Sequence, residues 1–132
     1  KEDARVKISY VGSNFHAWFD EMEIPDFAGS ELRYQALTRN AYDRDILTAL
    51  VGEAMAETGL ADLYWLMKEQ KNGEAGVLLT DGKTNIFYVR DKNGILRAVY
   101  VAWRGGGWYV GVFEVDDDRW RSSRRVFSRS PR

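Results

Sequence analysis

The hydrophobic pattern of the chain changes its period once, near residue 75, and the change separates a helix-rich front from a strand-rich back. At the front, Val6, Ile8 and Tyr10 alternate with Arg5, Lys7 and Ser9. That is the two-residue period of a half-buried strand, and Gly12 ends it. Ser13 reads as a helix N-cap, and Phe15, Trp18, Phe19 and Met22 then fall at i, i+3, i+4 and i+7, on one stripe of a short amphipathic helix that Pro25 stops. Leu32, Tyr34 and Ala36 alternate inside a stretch from Asp26 to Asn40 that also tolerates a helix; a strand is expected there. Ile46, Leu47, Leu50, Ala54 and Met55 keep helical spacing, as do Leu60, Leu63, Tyr64 and Met67 after a cap at Thr58. The second of these helices should end at Asn72-Gly73.

Behind that point the period is two. Asn85 to Arg90, Ile95 to Trp103 and Trp108 to Val115 read as three strands, joined by Asp91-Lys92-Asn93-Gly94 and Arg104-Gly105-Gly106-Gly107, both of hairpin-forming composition. A four-residue loop pairs Trp103 with Trp108 and sets the register of everything behind it. One face then carries Val99, Val101, Trp103, Trp108, Val110 and Val112, with Arg97 opposite Glu114. The other sets Tyr100 opposite Gly111, Phe113 opposite Ala98 and Tyr109 opposite Ala102. Three times a large ring faces a small residue, which suits a packed face or a flat binding platform.

Composition narrows the class. The 132 residues, 45% hydrophobic and 30% charged with two prolines, are those of one ordinary globular core, so 1–132 is read as a single domain. Zero cysteines exclude a disulfide framework, a thiolate metal site and a thiol nucleophile. No apolar run approaches the roughly 20 residues that span a bilayer, and Lys1-Glu2-Asp3 does not open a signal peptide. No membrane partner is therefore expected, and a soluble, cytoplasmic chain is the default. From a start at lysine, a tag, a leader or upstream sequence is expected before it. Net charge is −1 but uneven, and the segment 119–132 holds Arg119, Arg121, Arg124, Arg125, Arg129 and Arg132 after its last carboxylate at Asp118. If the chain meets a polyanion, it does so there.

The candidate chemistry is sparse. His16 and Asp20 are four apart on the first predicted helix and would share a face, but nothing else supplies a third metal ligand at recognisable spacing. Asp116-Asp117-Asp118 lacks the alternation and the glycine of a calcium loop and reads as ionic caps for Arg119 and Arg121. Gly105-Gly106-Gly107 lies between strands, without the following helix that a phosphate loop needs. Neither a nucleophile with a partner base nor a marked pair of carboxylates is present, so no catalytic residue, metal or cofactor is assigned.

Trp103, the glycine-rich turn, Trp108, the alternation to Val115, Trp120 and the closing Arg125-Val126-Phe127-Ser128-Arg129 resemble the tail of small uncharacterised proteins from metagenomes of candidate-phylum bacteria. Asn85-Ile86-Phe87-Tyr88-Val89-Arg90-Asp91 and Lys71-Asn72-Gly73-Glu74 extend the likeness over most of the chain. That family carries no established activity. More loosely, the Gly-Gly-Trp turn with a following tryptophan is similar to the variable regions of diversity-generating retroelement proteins, which display changing side chains on a C-type lectin scaffold. The resemblance implies display positions at Tyr100, Ala102, Arg104, Tyr109, Gly111 and Phe113.

The expectation is an α+β fold, an antiparallel sheet of about four to six strands with two or three helices packed on one face. The expected function is a non-catalytic binding or display module for a protein or small ligand, using Tyr100, Ala102, Arg104, Tyr109, Gly111 and Phe113. Two alternatives stand beside it. One is a nucleic-acid-binding protein using Arg121, Arg124, Arg125 and Arg129 as a basic stripe. The other is a small enzyme built around a pocket with His16 or a carboxylate.

Overall fold

The computed structural model describes residues 8–20, 32–50, 52–117 and 119–129. Along the chain these form β1 (Ile8–Val11), α1 (Ser13–Phe19), β2 (Leu32–Ala36), α2 (Asp43–Ala49), the single helical turn α3 (Glu53–Ala56), β3 (Glu57–Thr58), α4 (Leu60–Glu69), β4 (Asn85–Arg90), β5 (Leu96–Arg104), β6 (Gly107–Glu114) and β7 (Arg125–Arg129). Val6, Met22, Pro25, Asp118 and Arg132 lie outside the described residues.

The β5–β6 hairpin takes the expected register: Arg97 pairs with Glu114, Ala98 with Phe113, Tyr100 with Gly111, Ala102 with Tyr109, and Trp103 with Trp108. Its turn is tighter than the composition implied. Arg104 pairs with Gly107, which leaves Gly105 and Gly106 as the loop with φ of 65° and 77°. Two successive left-handed residues are what a type I′ turn demands, and glycine supplies them without a Cβ clash.

The sheet around this hairpin is mixed rather than antiparallel. It has seven strands, in the order β1-β6-β5-β4-β7-β2 with β3 also beside β4. Strand β1 runs parallel to β6, and both β3 and β7 run parallel to β4, β7 against Asn85 and Ile86 and β3 against Tyr88 and Val89. Hairpin composition announces antiparallel neighbours, whereas a parallel partner arrives from a distant part of the chain and leaves no turn signal.

Helices cover both faces, not one. Phe19 of α1 and Leu60, Leu63 and Met67 of α4 pack on Phe87, Val99, Val101, Trp108, Val110 and Phe127. On the other side Ile46 and Leu47 of α2 and Ala56 of α3 pack on Ile86, Tyr88, Ala98 and Val126. The reason is legible in β4, where Ile86, Phe87, Tyr88 and Val89 are all at most 2% exposed. An uninterrupted apolar run belongs to a strand buried on both faces, and each such side chain contributes about 1.5–3 kcal/mol on burial.

The helix boundaries differ in detail. The predicted run through Met55 is broken at Gly52, whose φ is 101°, so α2 stops at Ala49 and only a single turn follows. Gly59 rather than Thr58 precedes α4, and the Asp62 carboxylate accepts the Gly59 N–H at 2.8 Å. Thr58 is instead in β3, donating its hydroxyl to the Tyr88 carbonyl at 3.3 Å. Beyond α4 the buried Gln70 side chain fastens the next loop, accepting from Leu78 N–H at 2.8 Å and donating to Glu74 O at 2.7 Å. The Gln70 carbonyl in turn accepts Trp108 Nε1 at 3.0 Å. That loop thus reaches the glycine-turn end of the hairpin.

Two aspartates hold the remaining connections. Asp91 Oδ1 accepts the N–H groups of Asn93 (2.8 Å) and Ile95 (3.0 Å), closing the β4–β5 turn, while its Oδ2 takes Arg97 Nε at 2.9 Å. The Arg97 guanidinium lies 3.7 Å from the Trp18 ring centroid, so the same ion pair seats α1. Asp43, 1% exposed at the start of α2, accepts Tyr88 Oη and Trp120 Nε1 on one oxygen and Asp116 N–H on the other, each at 2.6 Å. Asp116, expected as an ionic cap for Arg119 and Arg121, is engaged by α2. Its carboxylate accepts the Arg44 N–H at 2.8 Å.

Candidate functional site

Strand alternation puts Tyr100, Ala102 and Arg104 of β5 and Tyr109, Gly111 and Phe113 of β6 on one sheet face. Among the described residues, the helices α2 and α3 cover the β4, β5 and β7 part of that face, with Tyr100 packed at the edge of their cluster and no β6 residue in it. Over β6 the rings therefore pack on each other. Tyr100 crosses to the space above Gly111, where a Cβ would lie 2.4 Å from its ring. It enters the gap between Tyr109 and Phe113, with centroids 6.1 Å and 5.4 Å away and planes within 26° of its own. Gly111 is in effect a slot for a ring.

The stack continues at both ends. Tyr10 of β1 lies against Tyr109 at 4.6 Å, while Trp120 meets Tyr100 edge-on at 5.9 Å and Phe113 at 5.8 Å. A register shift in β1 between Ile8 and Tyr10 makes this possible, because it frees Tyr10 for this face while Ile8 lies beside Val110 and Phe15 on the other. The result is a row of aromatic groups in which Trp120 is 8% exposed, Tyr100 and Tyr109 are half-buried, and Phe113 and Tyr10 are 36% and 48% exposed. Offset ring pairs of this kind add about 0.5–1.5 kcal/mol each beyond their area.

Arg104 adds a charge beside these rings. Its guanidinium stands 5.1 Å from the Tyr109 centroid, and its Nε donates to Gly82 O at 3.0 Å. Burial, and then the neighbouring Tyr109 phenol, push the Tyr100 phenol up to about 12. It is therefore a neutral hydrogen-bonding group at physiological pH.

All six sequence-assigned platform residues thus come together on one face, in two roles. Arg104, Tyr109, Tyr100 and Phe113 present side chains at or near the surface, whereas Ala102 and Gly111 are buried floor that makes room for the rings. The sequence reading missed Tyr10 and Trp120 as members. Tyr10 carried a signal in its strand alternation, but nothing local says that β1 joins β6.

The arginines of the alternative reading are partly engaged within the chain. Arg125 donates through one terminal nitrogen to the carbonyls of Gly76 and Val77 and covers the Tyr34 ring at 4.7 Å. Arg124 donates to Ser122 O at 3.0 Å, Arg121 is exposed, and Arg129 is half-buried at the end of β7. His16 and Asp20 do share a helix face, Nδ1 to Oδ1 3.1 Å, with both side chains more than half exposed. Among the described residues no cluster of three or more metal-ligating side chains occurs, and no helix is long and apolar enough to cross a membrane.

A hollow of about 530 Å³ lies elsewhere, between α2 and residues 35–41 with Val126 at its floor. Gln35, Thr38, Arg39, Asn40 and Asp45 line it and are all solvent-exposed, so no buried polar group converges there on a ligand. Comparison with protein-family models, curated proteins and solved structures gives no match.

Proposed function

We propose that the protein is a non-catalytic binding module whose ligand contacts the row Tyr10, Tyr109, Tyr100 and Phe113 and the neighbouring Arg104. The observation that carries this reading is that, among the described residues, no β6 residue joins the cluster under α2 and α3, and the rings over β6 are ordered by Gly111 and by each other, with Phe113 36% and Tyr10 48% exposed. Rigid aromatic side chains offer large contact area at low conformational cost, and an adjacent arginine adds directional hydrogen bonds. Binding without chemistry is favoured by the composition of the site. One guanidinium and a phenol with its ionisation pushed up to about 12 provide no base or nucleophile at neutral pH.

A display protein of the retroelement kind would vary the same six positions. Because Ala102 and Gly111 are floor for the rings, the plainer reading of a fixed aromatic site is preferred. The test is a nuclear magnetic resonance screen of the full chain against small aromatic and peptide ligands. Shifts should concentrate on Tyr10, Tyr109 and Phe113 and disappear in a folded Tyr10→Ala/Phe113→Ala variant. Ligands that shift only the hollow between α2 and residues 35–41, or that bind the double variant equally well, would overturn the assignment.

A further inference from the structure

Arg104 is exposed, yet its guanidinium is restrained twice, by the Gly82 carbonyl at 3.0 Å and by the Tyr109 ring at 5.1 Å. Among the described residues no carboxylate forms an ion pair with it. Lys83, next to Gly82, stands 4.0 Å from Asp81 and so has its own counter-charge. Since Nε is already used, the terminal nitrogens of Arg104 keep N–H groups for an acceptor, in the planar fork that matches two oxygens of one oxyanion. A guanidinium already held in position loses little further freedom on binding. The neighbouring Tyr100 and Tyr109 rings stack at 6.1 Å, and the Tyr100 phenol stays protonated at neutral pH. Beside them Tyr10, on the last strand of the sheet, has nearly half its surface in solvent.

We infer that Arg104, with Tyr109 and Tyr10, forms a subsite for the carboxylate of a small aromatic acid whose ring extends the stack at Tyr10. This rests on the platform reading above and adds the chemical class of the ligand to it. A carboxylate is favoured over a phosphate because one unbalanced positive charge is matched by a monoanion, while a dianion would leave a negative charge uncompensated.

The experiment is titration of the full chain with benzoate, with benzyl alcohol as the neutral analogue of similar shape, and with phenyl phosphate as the dianion, followed by nuclear magnetic resonance. Benzoate should bind about tenfold more tightly than benzyl alcohol, as a charge-assisted hydrogen bond allows, and phenyl phosphate no more tightly than benzoate. Arg104→Gln should remove that tenfold advantage, so that benzoate and benzyl alcohol bind the variant with equal affinity. Should that variant fail to fold, Arg104→Lys, which keeps the charge and loses the fork, should lose most of the advantage. Equal affinities for benzoate and benzyl alcohol at the rings would overturn the carboxylate subsite and leave the platform standing, as would tighter binding of phenyl phosphate. If no probe shifts the rings, both readings fall.

Discussion

The two faces of the β5–β6 hairpin are finished in different ways. Beneath α1 and α4, Val99, Val101, Trp108, Val110 and Val112 are at most 4% exposed, sealed by side chains from another layer. On the opposite face, Tyr109 and Phe113 lie outside the cluster that α2 and α3 form among the described residues, Tyr100 lies at its edge, and the three rings stack along β6 with Gly111 and Ala102 giving them room. A helix layer removes apolar surface from water completely, whereas a row of rings removes it only partly and leaves edges and hydroxyls available. The first arrangement supplies stability; the second keeps a surface that a ligand can finish covering.

The sharpest way to break the contrast is to truncate one residue on each side. Trp108→Ala deletes a fully buried ring and its hydrogen bond to the Gln70 carbonyl; a loss of about 3–5 kcal/mol is expected in urea unfolding. Asp43→Ala should follow at about 2–4 kcal/mol, because Tyr88 Oη, Trp120 Nε1 and Asp116 N–H all lose their acceptor. Gly111→Ala should cost about 1–3 kcal/mol, since the new methyl takes the space of the Tyr100 ring. Its near-ultraviolet circular dichroism should change while far-ultraviolet bands stay, and an unchanged aromatic spectrum would refute the slot. Phe113→Ala, at a 36% exposed position, should cost only about 1 kcal/mol. If Phe113→Ala matches Trp108→Ala in urea midpoint, the two faces are equally structural and the contrast is gone.

The smallest effect separates the two buried aspartates by pH. Burial pushes the Asp43 carboxyl up, and hydrogen bonds from Tyr88, Asp116 N–H and Trp120 only partly offset it. Burial also opposes charge on Asp91, but the Ile95 N–H, Arg97 and the Asn93 N–H outweigh it and hold that carboxyl below the usual range. Folding therefore favours the proton on Asp43, so its contribution is fullest below the ordinary carboxylate pKa and declines as pH rises through the raised value. Asp91 contributes above the ordinary pKa and loses its contribution as pH falls through the lowered one. Urea midpoints between pH 3 and 7 should show a shallower acid-side loss in Asp91→Asn than in the parent chain. Asp43→Asn should instead lack the decline on the way up.

Much of the hairpin was legible because its information is local. Alternation from Ala98 to Phe113 and a glycine turn set the pairing, and a one-residue slip would have put Val99 and Val101 on the wrong face. The stripe Leu60, Leu63, Tyr64 and Met67 likewise identified α4, of which Leu60, Leu63 and Met67 are buried while Tyr64 is exposed. Less legible was β7, where Arg125 to Arg129 reads as a basic tail until Phe127 is seen stacked on Phe87 at 4.6 Å. Asp43 looks in sequence like an ordinary acidic residue near a helix start, and only Tyr88 and Trp120, 45 and 77 positions away, make it a buried acceptor.

The sequence by itself determined the period of each segment, the register of β5 against β6 and the facing of large rings to small residues, because these depend on neighbours within a turn or a hairpin. Tertiary structure alone decided that β1 and β7 join the sheet in parallel, that helices cover both faces, and that no described β6 residue joins the cluster under α2 and α3. Those outcomes depend on which distant apolar surfaces meet, and local periodicity measures how much surface must be buried without saying what will bury it.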